Sequence, residues 1–192
     1  MHPRRAVFLD RDGVINRSSC VDGRPYAPRR LSDFRLLPGV ADAVARLRQA
    51  GFLAIVVTNQ PDVGNGLMTR ATLDAMHARL LRSVTVDSVL VCPHRQDDGC
   101  ACRKPQPGLI LSAIRDFAID PSCSYMIGDR WSDVAAGKAA GLYSVFIDRG
   151  YAEAMQERPD LVATSLPQAA RSILSRRSIG GRAAATRMTG RT

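Results

Sequence analysis

Ala6-Val7-Phe8-Leu9-Asp10-Arg11-Asp12-Gly13 sets four small or apolar residues directly against two carboxylates and a glycine. An apolar run without alternation, ended abruptly by a charge, suits a strand buried on both faces of a parallel sheet. The same pattern recurs along the chain. Leu53-Ala54-Ile55-Val56-Val57 runs into Thr58, Val89-Leu90-Val91 into Cys92, Tyr125-Met126-Ile127 into Gly128-Asp129, and Ser144-Val145-Phe146-Ile147 into Asp148. Between these runs lie segments with helical spacing. Val40, Val44 and Leu47 precede Gly51, and Leu73, Met76, Leu80 and Leu81 mark a second helix. Leu109, Ile110, Ala113, Ile114 and Phe117 follow Pro107, Asp133 to Ala140 ends at Gly141, and Leu166 to Leu174 forms the last. Glycines just past the periodic residues are helix-stop signals. Strands alternating with helices predict an α/β fold, a single Rossmann-like doubly wound parallel sheet. Ligands in such sheets sit beyond the carboxyl ends of the strands. Asp10, Thr58, Cys92 and Asp129 are therefore the first candidates for a site.

The 192 residues, 45% hydrophobic and 23% charged, suffice for one domain with a sizeable core but not for two. Disordered, collagen-like and disulfide-dense classes are excluded. No apolar run approaches the ~20 residues of a membrane span, and the four residues before Asp10 are too few for a signal-peptide core, so a cytoplasmic location is expected. The formal charge of +9 raises nucleic-acid binding, but six arginines and no acid fall between Arg171 and Thr192, supplying two-thirds of the excess. The domain is expected over 1–175, with 176–192 a basic disordered tail. That tail is read as a solvated end. A non-catalytic binding protein that recruits nucleic acid through it is the alternative from another class. Only Lys104 and Lys138 among the 27 basic residues are lysines, so each invites a reason why a compact point charge is needed.

Each strand end carries a possible chemistry beside a plainer reading. In Asp10-Arg11-Asp12-Gly13 one carboxylate can attack phosphorus while the second serves as acid and base; the pair could equally be solvated loop acids. Thr58 and the amides after it can hold phosphoryl oxygens, or the hydroxyl can cap a turn. Lys104 can neutralise a transferring phosphoryl group, or lie on the surface. Asp129 and Asp133 can complete a Mg²⁺ site with Asp10, or cap a helix. Five cysteines without a secretory signal favour metal over disulfides, and Cys92, His94, Cys100 and Cys102 offer the ligand count and softness of a closed structural Zn²⁺ site at 92–102. Cys20 and Cys123 carry no such signal. His77 and Trp131 are read as packing residues.

Asp-x-Asp, Thr, Lys and Gly-Asp-x-x-x-Asp, in that order and each at a strand end, resemble the haloacid dehalogenase superfamily of phosphohydrolases over roughly residues 6–175. The resemblance implies that Asp10 is a nucleophile that becomes a phosphoaspartate and that Asp12 is the general acid and base. Thr58 and Lys104 would hold the phosphoryl group. Mg²⁺ would be bound by Asp10, Asp129 and the carbonyl of Asp12, with Asp133 behind them. Cys92-Pro93-His94 and Cys100-Ala101-Cys102-Arg103-Lys104-Pro105 further resemble the zinc-loop subfamily, whose members act on heptose bisphosphates or histidinol phosphate. A small phosphorylated sugar is the implied partner, with Arg11, Asn59, Gln60, Arg103 and Arg130 as substrate contacts, and a monomer is expected. Departures fall around the substrate. The family's Thr-Asn-Gln-Ser-Gly is Thr58-Asn59-Gln60-Pro61-Asp62 here, Arg130 stands where lysine is common, and the loop from Arg17 to Ser32 does not align. The spacings between Asp12, Thr58 and Lys104 leave no room for a cap domain, so loops must close the site.

Overall fold

The structure, a computed structural model, describes residues 4–176. Six parallel strands form one sheet: β1 (Arg5–Leu9), β4 (Phe52–Asn59), β5 (Ser88–Cys92), β6 (Tyr125–Gly128), β7 (Tyr143–Ile147) and β8 (Leu161–Ala163). Their order is β5-β4-β1-β6-β7-β8. The chain thus builds outward from β1 in one direction, then returns to the other side of β1 to lay down β6. In register, Leu9 of β1 lies between Val56 and Ile127. Loops leaving β1 and β6 diverge at this reversal and open a crevice above it, where a doubly wound sheet places its ligand.

Both faces of the sheet are covered, which is why its strands are apolar throughout rather than alternating. Val7 and Leu9 point into one layer with α1 (Val40–Gln49), α3 (Arg70–Ser83) and the helix at 166–176, here α6. Ala6 and Phe8 point into the other with α4 (Gly108–Asp116) and α5 (Trp131–Ala139). A one-turn helix, α2 (Pro61–Gly64), follows β4. Among the described residues no helix is long and apolar enough to cross a membrane. The tail expected over 176–192 lies, Arg176 apart, outside the described residues.

Three local expectations change. Helix α5 starts at Trp131 rather than Asp133, because Asp133 is its third residue and its carboxylate accepts the Arg130 N–H at 3.0 Å, closing the first turn from inside. Leu81 is 51% exposed. His77 takes the buried position instead, since 73, 76, 77 and 80 share one helical stripe. The segment 17–32 contains a hairpin, β2 (Ser19–Val21) and β3 (Arg24–Tyr26), turned by Asp22 and Gly23, both at positive φ. An Asp-Gly pair is the strongest local hairpin signal. Strands of three residues, here and in β8, are too short to display a period.

Candidate active site

Asp10 is the first residue beyond β1, and its N–H continues the sheet by donating to Ile127 O at 2.9 Å. That bond fixes the carboxylate above the β1–β6 junction. Lys104 reaches the same point, its Nζ donating to Asp10 Oδ1 at 2.7 Å and to Val57 O at 2.8 Å. The ammonium is also ion-paired with Asp133 Oδ1 at 2.6 Å, although without hydrogen-bond alignment. Asp129 completes the group: Asp10, Asp129 and Asp133 each present an oxygen within 4.8 Å of the others, and all three are buried. Three carboxylates therefore share one lysine. Burial, only partly offset by Lys104 and reinforced by Asp133 and Asp12, pushes Asp10 up to about 7. Burial, with Asp10 and Asp133 beside it, pushes Asp129 well above the carboxylate range. Burial opposes charge on Lys104 too, but Asp10 and Asp133 more than compensate and hold it firmly protonated.

Neither oxygen of Asp129 has a hydrogen bond of normal geometry. The Tyr151 hydroxyl beside them is a single neutral group for two buried carboxylate oxygens, and such a shortfall is costly in a finished structure. Excess negative charge with unsatisfied oxygens is the environment a hard divalent cation requires, and such an ion would return these acids to the ionised form. The cradle is tight as well. Gly13 has φ +80°, and a Cβ there would lie 1.7 Å from Asp129 Oδ2. The turn after Asp12 must be glycine for Asp129 to occupy its place.

Asp12 stands beside this trio, its carboxylate outside it. The oxygens of Asp12 accept from Arg11 Nε and Nη2, from Asn16 Nδ2 at 2.9 Å and from Gln60 Nε2 at 2.7 Å. The Arg11 side chain is turned inward. It is fully buried, packs 5.7 Å from the Phe34 ring centroid and bonds His77 Nε2 at 3.2 Å, so it grips Asp12 from below rather than pointing into the crevice. Burial and the Arg11 charge push His77 down to about 4, leaving a neutral ring to accept that bond. Asn59 likewise uses its side chain internally, bonding the Lys104 main chain at 3.0 and 3.1 Å. Gln60 also donates to Thr58 Oγ1 at 2.9 Å, which leaves the buried threonine's own proton free to donate.

Cys92, His94, Cys100 and Cys102 converge as the spacing predicted, with all four ligand atoms within 4.8 Å. The sulfurs lie 3.5 and 3.6 Å apart, far beyond a disulfide bond, and His94 Nδ1 is 3.5 Å from Cys92 and 3.1 Å from Cys102. A tetrahedral Zn²⁺ with ordinary ligand bonds has edges of roughly 3.5–3.8 Å, so these residues fit a closed metal site. The loop is seated by Gly64 N–H on Pro93 O and Gly108 N–H on Ala101 O, both at 3.0 Å. It ends in Arg103 and Lys104, and so carries the lysine to Asp10.

A cavity of about 750 Å³ rises from Asp10 and Asp129 to the β2–β3 hairpin. Arg103, Arg130 and Trp131 line it. Trp131, expected to pack internally, is half-buried at this mouth, because the start of α5 faces the crevice rather than the second layer. Arg130 forks onto Glu153, through Nε at 3.1 Å and a second, short contact. Glu153 belongs to a segment that no motif announces. Within it Arg149 Nε donates to Gly13 O at 2.8 Å, Tyr151 stands beside Asp129, and Ala152 N–H donates to Gly23 O at 2.9 Å. Four parts of the site are thus tied together by five residues downstream of β7.

Comparison with known proteins agrees with this geometry. The family model described as "HAD-hyrolase-like" matches residues 101–169. The D-glycero-beta-D-manno-heptose-1,7-bisphosphate 7-phosphatase of Pseudomonas putida is 36% identical over 159 residues, covering 80% of this chain and 88% of that protein. The alpha-heptose counterpart from Mycobacterium bovis is 42% identical over 134 residues, 67% of this chain and 68% of its own. The crystal structure of the D,D-heptose 1,7-bisphosphate phosphatase of B. bronchiseptica, complexed with magnesium and phosphate, superposes with a TM-score of 0.77 at 32% identity, covering 90% of this chain and 99% of that one. With carboxylates, lysine and cysteine loop placed as described, and with relatives this similar along most of their length, the chain belongs to the heptose-1,7-bisphosphate 7-phosphatase family of HAD phosphatases.

Proposed function

We propose that this phosphatase removes the 7-phosphate of D-glycero-D-manno-heptose 1,7-bisphosphate through a phosphoaspartate at Asp10. The observation that carries the chemistry is the buried Asp10 carboxylate, held by Lys104 beside the unsatisfied oxygens of Asp129. The substrate rests on the names of the relatives.

An Asp10 oxygen attacks phosphorus, the bond from phosphorus to the C7 oxygen breaks, and Asp12 gives the leaving oxygen its proton. Asp12 then takes a proton from water, whose oxygen displaces phosphate and regenerates Asp10. Arg11, Asn16 and Gln60 hold Asp12 in place for both steps. Thr58 donates its free proton to a phosphoryl oxygen, and Lys104 balances charge on the transferring group. Arg103 faces the distal part of the substrate, while the side chains of Asn59 and Gln60 keep Lys104 and Asp12 in position and only their main chain is available to phosphate. Mg²⁺ held by Asp10 and Asp129, with Asp133 behind, would supply the positive charge that phosphoryl transfer needs.

Zn²⁺ in the cysteine loop would be structural, since all four positions are protein ligands. Cys100→Ser is expected to bring zinc below half an ion per chain by elemental analysis and to lower Tm by about 5–10 °C. An unchanged zinc content would exclude this ligand set.

The substrate reading is tested by phosphate release with Mg²⁺ from both anomers of the heptose bisphosphate, histidinol phosphate and a set of hexose and pentose phosphates. A kcat/KM for one heptose anomer at least about a hundredfold above the rest is expected. Preference for histidinol phosphate, or flat low activity, would overturn the substrate while leaving the chemistry.

A further inference from the structure

Resting on that substrate reading, we propose that Arg24, at the start of β3 in the hairpin, is the specificity residue that grips the second phosphate of a bisphosphorylated substrate. Four arginines line the cavity: Arg24, Arg29, Arg103 and Arg130. Two are already neutralised. Arg29 forks onto Asp62 at 2.8 and 3.1 Å, and Arg130 forks onto Glu153. Among the described residues, Arg24 and Arg103 have no side-chain hydrogen bond or ion pair, and the Nη1 of Arg103 is buried without a partner. Two uncompensated guanidinium groups, on separate loops of one cavity whose floor is the Asp10 site, match a dianion at the far end of an extended substrate.

Arg103 arrives with the cysteine loop, whereas Arg24 comes from the segment that departs from the family pattern. The hairpin holds it firmly. Gly23, next to Arg24 in the turn, accepts the Ala152 N–H at 2.9 Å, and a Cβ on Gly23 would lie 2.6 Å from the Cβ of Ala152. The Arg29–Asp62 pair ties the other end of the hairpin to α2. Asp62 is itself one of the departures from Thr-Asn-Gln-Ser-Gly, so the altered loop and the altered motif meet in one contact. Docked at both ends, the hairpin fixes the Arg24 backbone beside the cavity while its exposed side chain stays unpaired, and a backbone already held in place loses less entropy on binding.

The test compares kcat/KM for the heptose 1,7-bisphosphate with that for the same sugar carrying only the 7-phosphate. In wild type the bisphosphate is expected to be preferred at least about tenfold. Arg24→Gln is expected to cut that ratio at least about tenfold, chiefly through KM for the bisphosphate, and Arg24→Lys to restore part of it, since charge survives but the fork does not. Arg17→Gln, in an arginine just before the hairpin that lines the adjoining cavity and not the one above Asp10, controls for damage to the hairpin and should leave the ratio unchanged. A wild type indifferent to the second phosphate would overturn the bisphosphate reading itself. A wild type that discriminates, with Arg24→Gln discriminating equally well, would overturn the role of Arg24 alone.

Discussion

Asp10→Asn is expected to lower kcat by at least about 10⁴-fold, because an amide of nearly the same shape is not a nucleophile toward phosphorus. The fold should persist. Asp10 is one of three buried carboxylates around a single lysine, so removing its charge relieves repulsion with Asp129 and Asp133 even as it weakens the bond from Lys104. Tm in the absence of metal is therefore expected to stay level or rise. Loss of activity with loss of fold would be uninformative, which is why both are measured on one preparation. A variant retaining a tenth of wild-type turnover would mean that Asp10 is not the group that attacks.

Lys104→Met is expected to damage both fold and turnover. Among the described residues its ammonium is the only cation ion-paired with Asp10 and Asp133, and it is almost wholly buried. Removing one partner from a buried ionic cluster typically costs about 3–5 kcal/mol. The metal-free variant should therefore melt well below wild type, and kcat should fall at least about a thousandfold through the loss of charge opposite the phosphoryl group. Saturating Mg²⁺ should recover part of the Tm by replacing the missing positive charge, without restoring kcat. Full recovery of turnover by Mg²⁺ would show that Lys104 only balances the carboxylates and does nothing for the transferring group.

Much of this arrangement could be read in the residues before any fold was known. The strands declared themselves because both faces of the sheet are covered, so Ala6–Leu9 and Leu53–Val57 had to be apolar without interruption. The carboxylates, Lys104 and the cluster of Cys92, His94, Cys100 and Cys102 were legible because each lies at or just past a strand end or within a short cysteine spacing. What could not be read depends on contacts distant in sequence. Arg11, between two aspartates, has the local pattern of an exposed loop cation. It is buried because His77 on α3, 66 residues away, and the ring of Phe34 lie under it. Arg130, read as a substrate contact, is held by Glu153, 23 residues on, a partner that no local spacing announces. Trp131 could equally have packed inward, and only the direction of the first turn of α5 decides that it faces the cavity. The hairpin carried its own signal in Asp22-Gly23, hidden by strands of three residues.

The most direct test is chemical trapping of the intermediate. Wild-type enzyme turning over the heptose bisphosphate with Mg²⁺ would be quenched within one turnover and treated with borohydride, which reduces an aspartyl phosphate to homoserine. Peptide mass spectrometry is expected to find homoserine at position 10, dependent on substrate and absent from Asp10→Asn. An unmodified Asp10 under conditions where phosphate is being released, or reduction at another carboxylate such as Asp12, would contradict covalent catalysis at the end of β1.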